Sequence, residues 1–195
     1  MRNGVYKYNA PLEQFAIWRG GFTEEEIEQV KFLENLQQFE KGVTGRSSTP
    51  DKKIRDSDVS WLHRNENSDW VFDRMNGIIS KVNYDHFLLD ITGYDAFQFT
   101  KYNPDQHYTW HWDTEFGWKN YIRKISLIML LSDPTEYEGG EFEIVKNGNI
   151  AEPESFKPGK GDVVFFASWM PHRVAPVTSG TRKSLVAWID GPREC

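Results

Sequence analysis

Residues 95–113 read DAFQFTKYNPDQHYTWHWD. Asp95 to Tyr102 and Tyr108 to Asp113 have the composition of strands, and Asn103-Pro104-Asp105 between them is turn chemistry. Successive side chains on a strand point to opposite faces. Gln98, Thr100 and Tyr102 therefore share one face of the first strand. On the second, His111 and Asp113 face the same way and Trp112 turns outward. Two donors on one face can reach one ion.

The same character continues downstream. Lys124 to Leu131, Glu141 to Val145, Asp162 to Ala167, His172 to Pro176 and Lys183 to Asp190 all read as strands. Glu138-Gly139-Gly140, Asn147-Gly148-Asn149 and Pro158-Gly159-Lys160-Gly161 supply turns between them. Upstream, Gln14 to Trp18 is a short strand that Gly20-Gly21 ends. Thr23-Glu24-Glu25-Glu26 has capping-box spacing, and Phe22 and Ile27 are placed as a hydrophobic staple. Ile27, Val30, Leu33 and Leu36 recur at helical spacing, which predicts a helix over 24–39. A second helix is expected from Asn67 or Ser68, burying Trp70, Val71, Met75, Ile78, Ile79 and Val82. Gly42 to Asp58 is polar and rich in Gly, Ser and Thr, and is expected to be a mobile loop. Two helices followed by many short strands predict a mainly β chain, a β-sandwich with helices on one face. No internal repeat, low-complexity linker or second domain is visible. The expectation is one domain over 1–195, with N-terminal helical support to about residue 92 and a β core from about residue 93.

Bulk properties narrow the function. The chain has 195 residues and a net charge of −6, which disfavours a nucleic-acid binder because phosphate recognition needs a concentrated basic surface. Eight Trp, eight Tyr and 13 Phe suit a β-rich core and a cavity with rigid walls. Cys195 is the only cysteine, so an intrachain disulfide is impossible and thiolate ligation of a core metal is not expected. Met1 to Ala10 holds no apolar run, and no segment is long enough to span a membrane. These features lead to the expectation of a reducing, cytoplasmic location, where ferrous iron persists.

His172 follows the turn Trp169-Met170-Pro171 and lies on a later strand. Two His and one carboxylate with open positions match the facial triad of non-haem Fe(II) oxygenases, although the same donors also bind zinc. The last strand adds a cation. Arg182, Ser184, Val186 and Trp188 share one face, while Lys183, Leu185, Ala187 and Ile189 share the other and can pack on the helices. An interior arginine needs a counter-charge. That charge could be Asp162 or Glu143 in an internal salt bridge, or a dicarboxylate ligand held by the guanidinium fork. Tyr102 reads equally as a donor to that carboxylate or as an ordinary core tyrosine. His63 and His86 receive no role. His107 is expected near the site mouth and not as a ligand.

The ordered stretches resemble the 2-oxoglutarate and Fe(II)-dependent dioxygenases, in the prolyl 4-hydroxylase-like branch. They are Tyr102-Asn103-Pro104 to His111-Trp112-Asp113, Arg123 to Leu131, Gly139-Gly140-Glu141-Phe142, Gly161 to Phe166, Pro171-His172-Arg173-Val174 and Arg182-Lys183-Ser184. A weaker echo runs from Arg55 to Leu62. The resemblance implies a double-stranded β-helix, the jelly-roll or cupin-like barrel. It implies that His111, Asp113 and His172 bind Fe(II) and form the catalytic centre. Arg182 would pair with the distal carboxylate of 2-oxoglutarate, aided by Tyr102 and by Ser184 or Thr178. Tyr108, Arg123 and Trp188 match positions lining a peptide groove. Dioxygen is the second co-substrate, and ascorbate is a candidate reductant.

The implied activity is hydroxylation, with prolyl 4-hydroxylation of a peptide or protein as the first expectation. Asp113 favours hydroxylation, because related halogenases leave that position free for chloride. Collagen-type relatives carry lysine where Arg182 stands, which weakens a collagen-type preference. Gly42 to Asp58 would act as a substrate lid. The alternatives are the same chemistry on a free amino acid, another side chain, a small molecule or an alkylated base, or an inert metal-binding jelly roll.

Overall fold

Alternation along four long strands separates the helix-packed core from the interior cavity. The computed structural model describes residues 14–45, 49–114, 120–146 and 148–193. The expectations resting on Met1 to Ala10, Asn147, Cys195 and part of the 42–58 loop (46–48) lie outside the described residues. Chain order is β1 (Phe15–Trp18), α1 (Glu24–Asn35), β2 (Glu40–Lys41), β3 (Arg55–Asp56), β4 (Asp58–His63) and α2 (Asp69–Val82), which runs into a π-helical turn, Asn83–Phe87. Then follow β5 (Ala96–Tyr102), β6 (His107–His111), β7 (Tyr121–Leu130), β8 (Tyr137–Gly139), β9 (Phe142–Ile144) and β10 (Glu154–Phe156). The last four are β11 (Val163–Ala167), β12 (His172–Val174), β13 (Val177–Gly180) and β14 (Arg182–Pro192).

The strands form a seven-stranded sheet in the order β1-β11-β7-β14-β5-β4-β2 and a five-stranded sheet in the order β10-β9-β12-β6-β3. A two-stranded ribbon, β13-β8, completes the set. Neighbouring strands run antiparallel among the described residues, and the result is the jelly-roll architecture that the motif order implies. Within the large sheet, Leu185 pairs with Met129 and Phe99, and Ala187 pairs with Leu127. These side chains are fully buried with Ile27, Val30 and Leu33 of α1 and Val71, Phe72, Met75 and Ile79 of α2. The opposite face of the same strands carries Ile128, Phe166, Val186 and Trp188 to an interior cavity. Burying a large apolar side chain contributes roughly 1.5–3 kcal/mol, so the helix-facing half holds most of the apolar stabilisation.

Local chemistry explains the helix ends. Thr23 Oγ1 accepts from the Glu26 amide at 3.2 Å, and Glu26 Oε2 accepts from the Thr23 amide at 2.8 Å. The predicted capping box is therefore complete. Helix α1 stops at Asn35, short of the expected residue 39, and Leu36 is 63% exposed instead of continuing the apolar stripe. Helix α2 starts after Ser68, whose hydroxyl donates to the His63 carbonyl and so does not cap the helix amides. Phe72 is buried in α2 where the periodic pattern pointed to Trp70, which is only half-buried. Lys183 reaches the helix side as expected. There it shares the buried Glu34 with Lys101, at 3.1 and 3.3 Å.

Several expectations change. The described part of 42–58 is not a featureless loop: Arg55 and Asp56 form β3 and pair with Tyr108 and His107 of β6. Periodicity cannot reveal a two-residue edge strand whose partner lies 50 residues away. For the same reason β2, β8, β10 and β13 were not expected. His63 ends β4 and is not in a loop, so the N-terminal part contributes three strands to the large sheet as well as its helices. Strand β6 ends at His111, so Asp113 follows the strand and does not sit on it. No helix among the described residues is long and apolar enough to cross a membrane.

The ribbon turns back at Gly180, which sits at φ 71°. A Cβ added there would lie 2.1 Å from the Glu136 carbonyl oxygen. Gly180→Ala is expected to lower stability by about 1–3 kcal/mol through left-handed strain and the clash. Urea unfolding measures this, and an unchanged midpoint would mean that the ribbon is not rigidly closed.

Candidate active site

Strand pairing brings the three predicted donors together. His172 of β12 is the register partner of His111 of β6. Asp113 reaches the same point because its amide and that of Thr114 both donate to the Ser168 carbonyl, at 2.8 and 3.0 Å. Trp112 is 61% exposed, on the outer side as expected. One donor atom from each of His111, Asp113 and His172 lies within 4.8 Å of the others. The His172 and His111 Nε2 atoms are 3.4 and 3.7 Å from the Asp113 carboxylate oxygens.

The rings are oriented for ligation. His111 Nδ1 is 2.8 Å from the Thr109 carbonyl, and His172 Nδ1 is 2.9 Å from the Met170 carbonyl. A carbonyl can only accept, so Nδ1 donates in each ring and Nε2 is the atom turned toward the other donors. Ser126 Oγ donates to Asp113 Oδ2 at 2.7 Å and fixes the carboxylate. This is the outer support that a metal-binding triad requires. Burial would raise the Asp113 carboxyl, but His172, His111 and the Ser126 hydroxyl outweigh it and hold the group well below the usual carboxylate range. Burial and the neighbouring His172 push the His111 imidazole down to about 3. Both groups are thus in the unprotonated form that a cation needs.

A cavity of about 190 Å³ opens on the triad. Tyr108 stacks on His111 with ring centroids 3.5 Å apart, and the Arg55 guanidinium lies 4.9 Å from the Tyr108 centroid. Arg55 donates to Ser57 Oγ and Gln98 Oε1, each at 2.8 Å. On the other side Arg123 lies over Trp188 at 4.4 Å, and Trp61 faces Trp188 at 6.2 Å. Tyr108, Arg123 and Trp188, the residues matched to a peptide groove, all line this one cavity. Arg55, Gln98 and Trp61 line it too, and none was singled out as a site residue. The only sequence signals for them were the weak echo at Arg55 to Leu62 and the Gln98-Thr100-Tyr102 alternation.

Arg182 resolves an alternative left open by the sequence. Asp162 is taken by Arg19 and by the Gly20 and Gly159 amides, and Glu143 is taken by Arg173. Arg182 is 1% exposed, and its guanidinium meets only Ser184 Oγ, through Nη1 at 3.3 Å. Its Nε and Nη2 have no hydrogen-bond partner among the described residues. Tyr102 is the cross-strand neighbour of Arg182, buried to 3%, with its ring 5.7 Å from the guanidinium. Burial raises the Tyr102 phenol, so it keeps its proton. Thr178 does not join this group: it is exposed on β13, where the pairing with β8 shifts register between Val177 and Ser179. His107 is not among the grouped donors, which are His111, Asp113 and His172, and its Nδ1 faces the Asp105 carbonyl at 3.3 Å.

Donor chemistry fits a divalent ion and an anion. Two imidazoles and a carboxylate on one side leave the cavity side open, as in ferrous facial triads. A buried guanidinium with two unmatched donors fits a carboxylate.

Comparisons agree with this arrangement. Residues 97–190 match the model of the 2OG-Fe(II) oxygenase superfamily. A PKHD-type hydroxylase of Crocosphaera subtropica is 36% identical over 97 residues, covering 48% of this chain and 42% of that protein. One from Maricaulis maris is 43% identical over 65 residues, covering 33% of this chain and 28% of that protein. The chain thus spans less than half the length of these curated relatives. Among solved structures, a Pseudomonas putida prolyl-4-hydroxylase aligns with a TM-score of 0.69 at 18% identity, over 93% of this chain and 94% of that one. A Trichoplax adhaerens prolyl hydroxylase, solved with a hypoxia inducible factor oxygen degradation domain peptide fragment, aligns at 0.74 and 20%, over 91% and 83%. At these identities the structural likeness is one of fold.

The state of His111 has a measurable consequence. An unfolded imidazole takes up a proton near pH 6.5, whereas the folded one resists until about 3. The metal-free protein should therefore lose stability as pH falls below about 6.5, by at most roughly 2 kcal/mol at pH 5 from this group. Urea unfolding at pH 7.5 and pH 5 tests this. His111→Gln should flatten the dependence, and an equally steep slope in that variant would assign it to other groups.

Proposed function

We propose that the chain, whose residues 97–190 match the 2OG-Fe(II) oxygenase superfamily and whose fold is that of solved prolyl hydroxylases, is an Fe(II)- and 2-oxoglutarate-dependent hydroxylase acting on a prolyl residue of a peptide or protein. The observation that carries the co-substrate reading is the buried Arg182 guanidinium, with two unmatched donors and no paired carboxylate among the described residues. His111, Asp113 and His172 would hold the iron. Arg182, Tyr102 and Ser184 would hold the distal carboxylate of 2-oxoglutarate. With 2-oxoglutarate and dioxygen, the bound metal supplies decarboxylation to succinate and carbon dioxide, coupled to insertion of oxygen into a C–H bond.

The chain's own residues orient and enclose the reactants. The Thr109 and Met170 carbonyls keep both imidazole Nε2 atoms aimed at one point. Ser126 keeps the Asp113 carboxylate ionised and in place. Tyr108, Trp61 and Trp188 form rigid aromatic walls, whose flat faces suit the apolar ring of proline. Arg123, held over Trp188, can donate to a peptide carbonyl at the mouth. A peptide substrate is also supported by the complex solved for the Trichoplax protein. Ascorbate as reductant and a reducing, cytoplasmic location belong to the same proposal, because both keep iron ferrous.

His111→Ala and Asp113→Ala are expected to abolish Fe(II) binding and turnover. Metal analysis and succinate release read this, and wild-type turnover in either variant would break the triad assignment. Arg182→Ala should weaken 2-oxoglutarate binding roughly 10- to 100-fold and leave the metal in place, since a hydrogen bond to a charged group contributes about 1.5–3 kcal/mol. For the substrate, a peptide library incubated with Fe(II) and 2-oxoglutarate is read by mass spectrometry. One added oxygen on proline is the expected result. Oxygen found only on another residue would move the substrate, and no succinate under any condition would point to an inert jelly roll.

A further inference from the structure

Tyr137, which the sequence leaves without a role, is 3% exposed, and its hydroxyl has no hydrogen-bond partner among the described residues. It stands beside Arg182. A Cβ built on Gly140 would lie 3.3 Å from Tyr137 Cε2, 3.1 Å from Arg182 Cδ and 2.9 Å from Val177 Cγ2, so the phenol ring and the arginine stem meet over that glycine. The backbone explains the meeting. Tyr137 of β8 is the register partner of Gly180 of β13, two residues before Arg182 begins β14. Lys157 fixes the tyrosine from behind, donating to its carbonyl at 2.9 Å and lying 4.4 Å from its ring centroid.

The hydrogen-bond inventory here is lopsided. Arg182 Nε, Arg182 Nη2 and the Tyr137 hydroxyl are all buried and unmatched. A guanidinium can only donate. Were the phenol to accept from Arg182, its own proton and one guanidinium N–H would still lack an acceptor. A buried polar group without a partner is destabilising, so a group that supplies acceptors and negative charge relieves all three. Burial raises the Tyr137 phenol, so it remains a donor at neutral pH.

We infer that Tyr137 and Arg182 together form the clamp for the distal carboxylate of a 2-oxo dicarboxylic acid, with the Tyr137 hydroxyl as the third donor. This rests on the proposed co-substrate reading and deepens it. Tyr137 takes the place that the sequence had suggested for Thr178, which lies on the exposed side of the same ribbon. Because the clamp holds only the far end of the acid, Tyr137 selects for a second carboxylate and not for the 2-oxo group.

The test is calorimetric titration of the full chain under anaerobic conditions, loaded with Mn(II) as a redox-inert stand-in. The ligands are 2-oxoglutarate and 2-oxobutyrate, which lacks the distal carboxylate. Tyr137→Phe should raise the Kd for 2-oxoglutarate roughly tenfold and leave that for 2-oxobutyrate within a factor of two. Thermal melting of the ligand-free protein should be unchanged or higher, because the variant deletes an unmatched buried hydroxyl. A purely structural tyrosine would give the reverse, a lower melting temperature and equal losses for both acids, and would overturn the inference. Arg182→Gln separates the two levels. If it weakens 2-oxoglutarate and Tyr137→Phe does not, only the role of Tyr137 falls. If neither variant weakens it, the co-substrate site itself lies elsewhere.

Discussion

Arg182 is buried to 1% exposure, and among the described residues no carboxylate is paired with it. A cation in that position is strongly destabilising unless something of opposite charge joins it. The surrounding structure makes that outcome specific. Asp162 and Glu143, the acids most able to neutralise Arg182 from within, are tied to Arg19 and Arg173. Ser184 satisfies one nitrogen, and Tyr102 and Tyr137 close the sides with neutral rings. The vacant charge is therefore a built feature of the fold, available to a ligand that enters along the same interior face.

That face exists because one sheet serves two purposes. Along β14 the odd-numbered residues Leu185, Ala187 and Ile189 pack with the helices, while Val186 and Trp188 line the cavity and Arg182 and Ser184 are buried on that same face, paired with the cavity-lining Tyr102 and Thr100. Strands β7 and β5 follow the same rule through their register with β14. The helix-packed half can be dense and apolar, while the other half carries polar groups that a well-packed core would exclude. Stability and chemistry are thereby placed on opposite sides of the same backbone, and the helices support the site without touching it.

Much of this was legible from local pattern. The capping box at Thr23, the α2 stripe, the long strands and both faces of β14 followed from short-range chemistry and periodicity. His111 and Asp113 were read as neighbours on one strand. They do converge, but the strand ends at His111, and Asp113 is placed by hydrogen bonds from its own amide and that of Thr114 to the carbonyl of Ser168, in a loop 55 residues away. The edge strands and Arg55 were hidden because two-residue pairings have no periodic signature. Thr178 and Tyr137 show the same limit. Both sit on the ribbon beside Arg182, and only the ribbon's pairing decides which of them turns inward.

The sequence by itself determined the fold class and the chemical alphabet of the site. Alternation, capping and turn residues act over a few positions, and the order of the motifs carried the family resemblance. Tertiary structure alone decided which charges meet. Whether Arg182 found Asp162, Glu143 or nothing depended on contacts with Arg19 and Arg173. Pairing energies fall with distance and burial, and both are properties of the folded chain. The unmatched Tyr137 hydroxyl belongs to the same category, because a donor lacks a partner only once every neighbour has been placed.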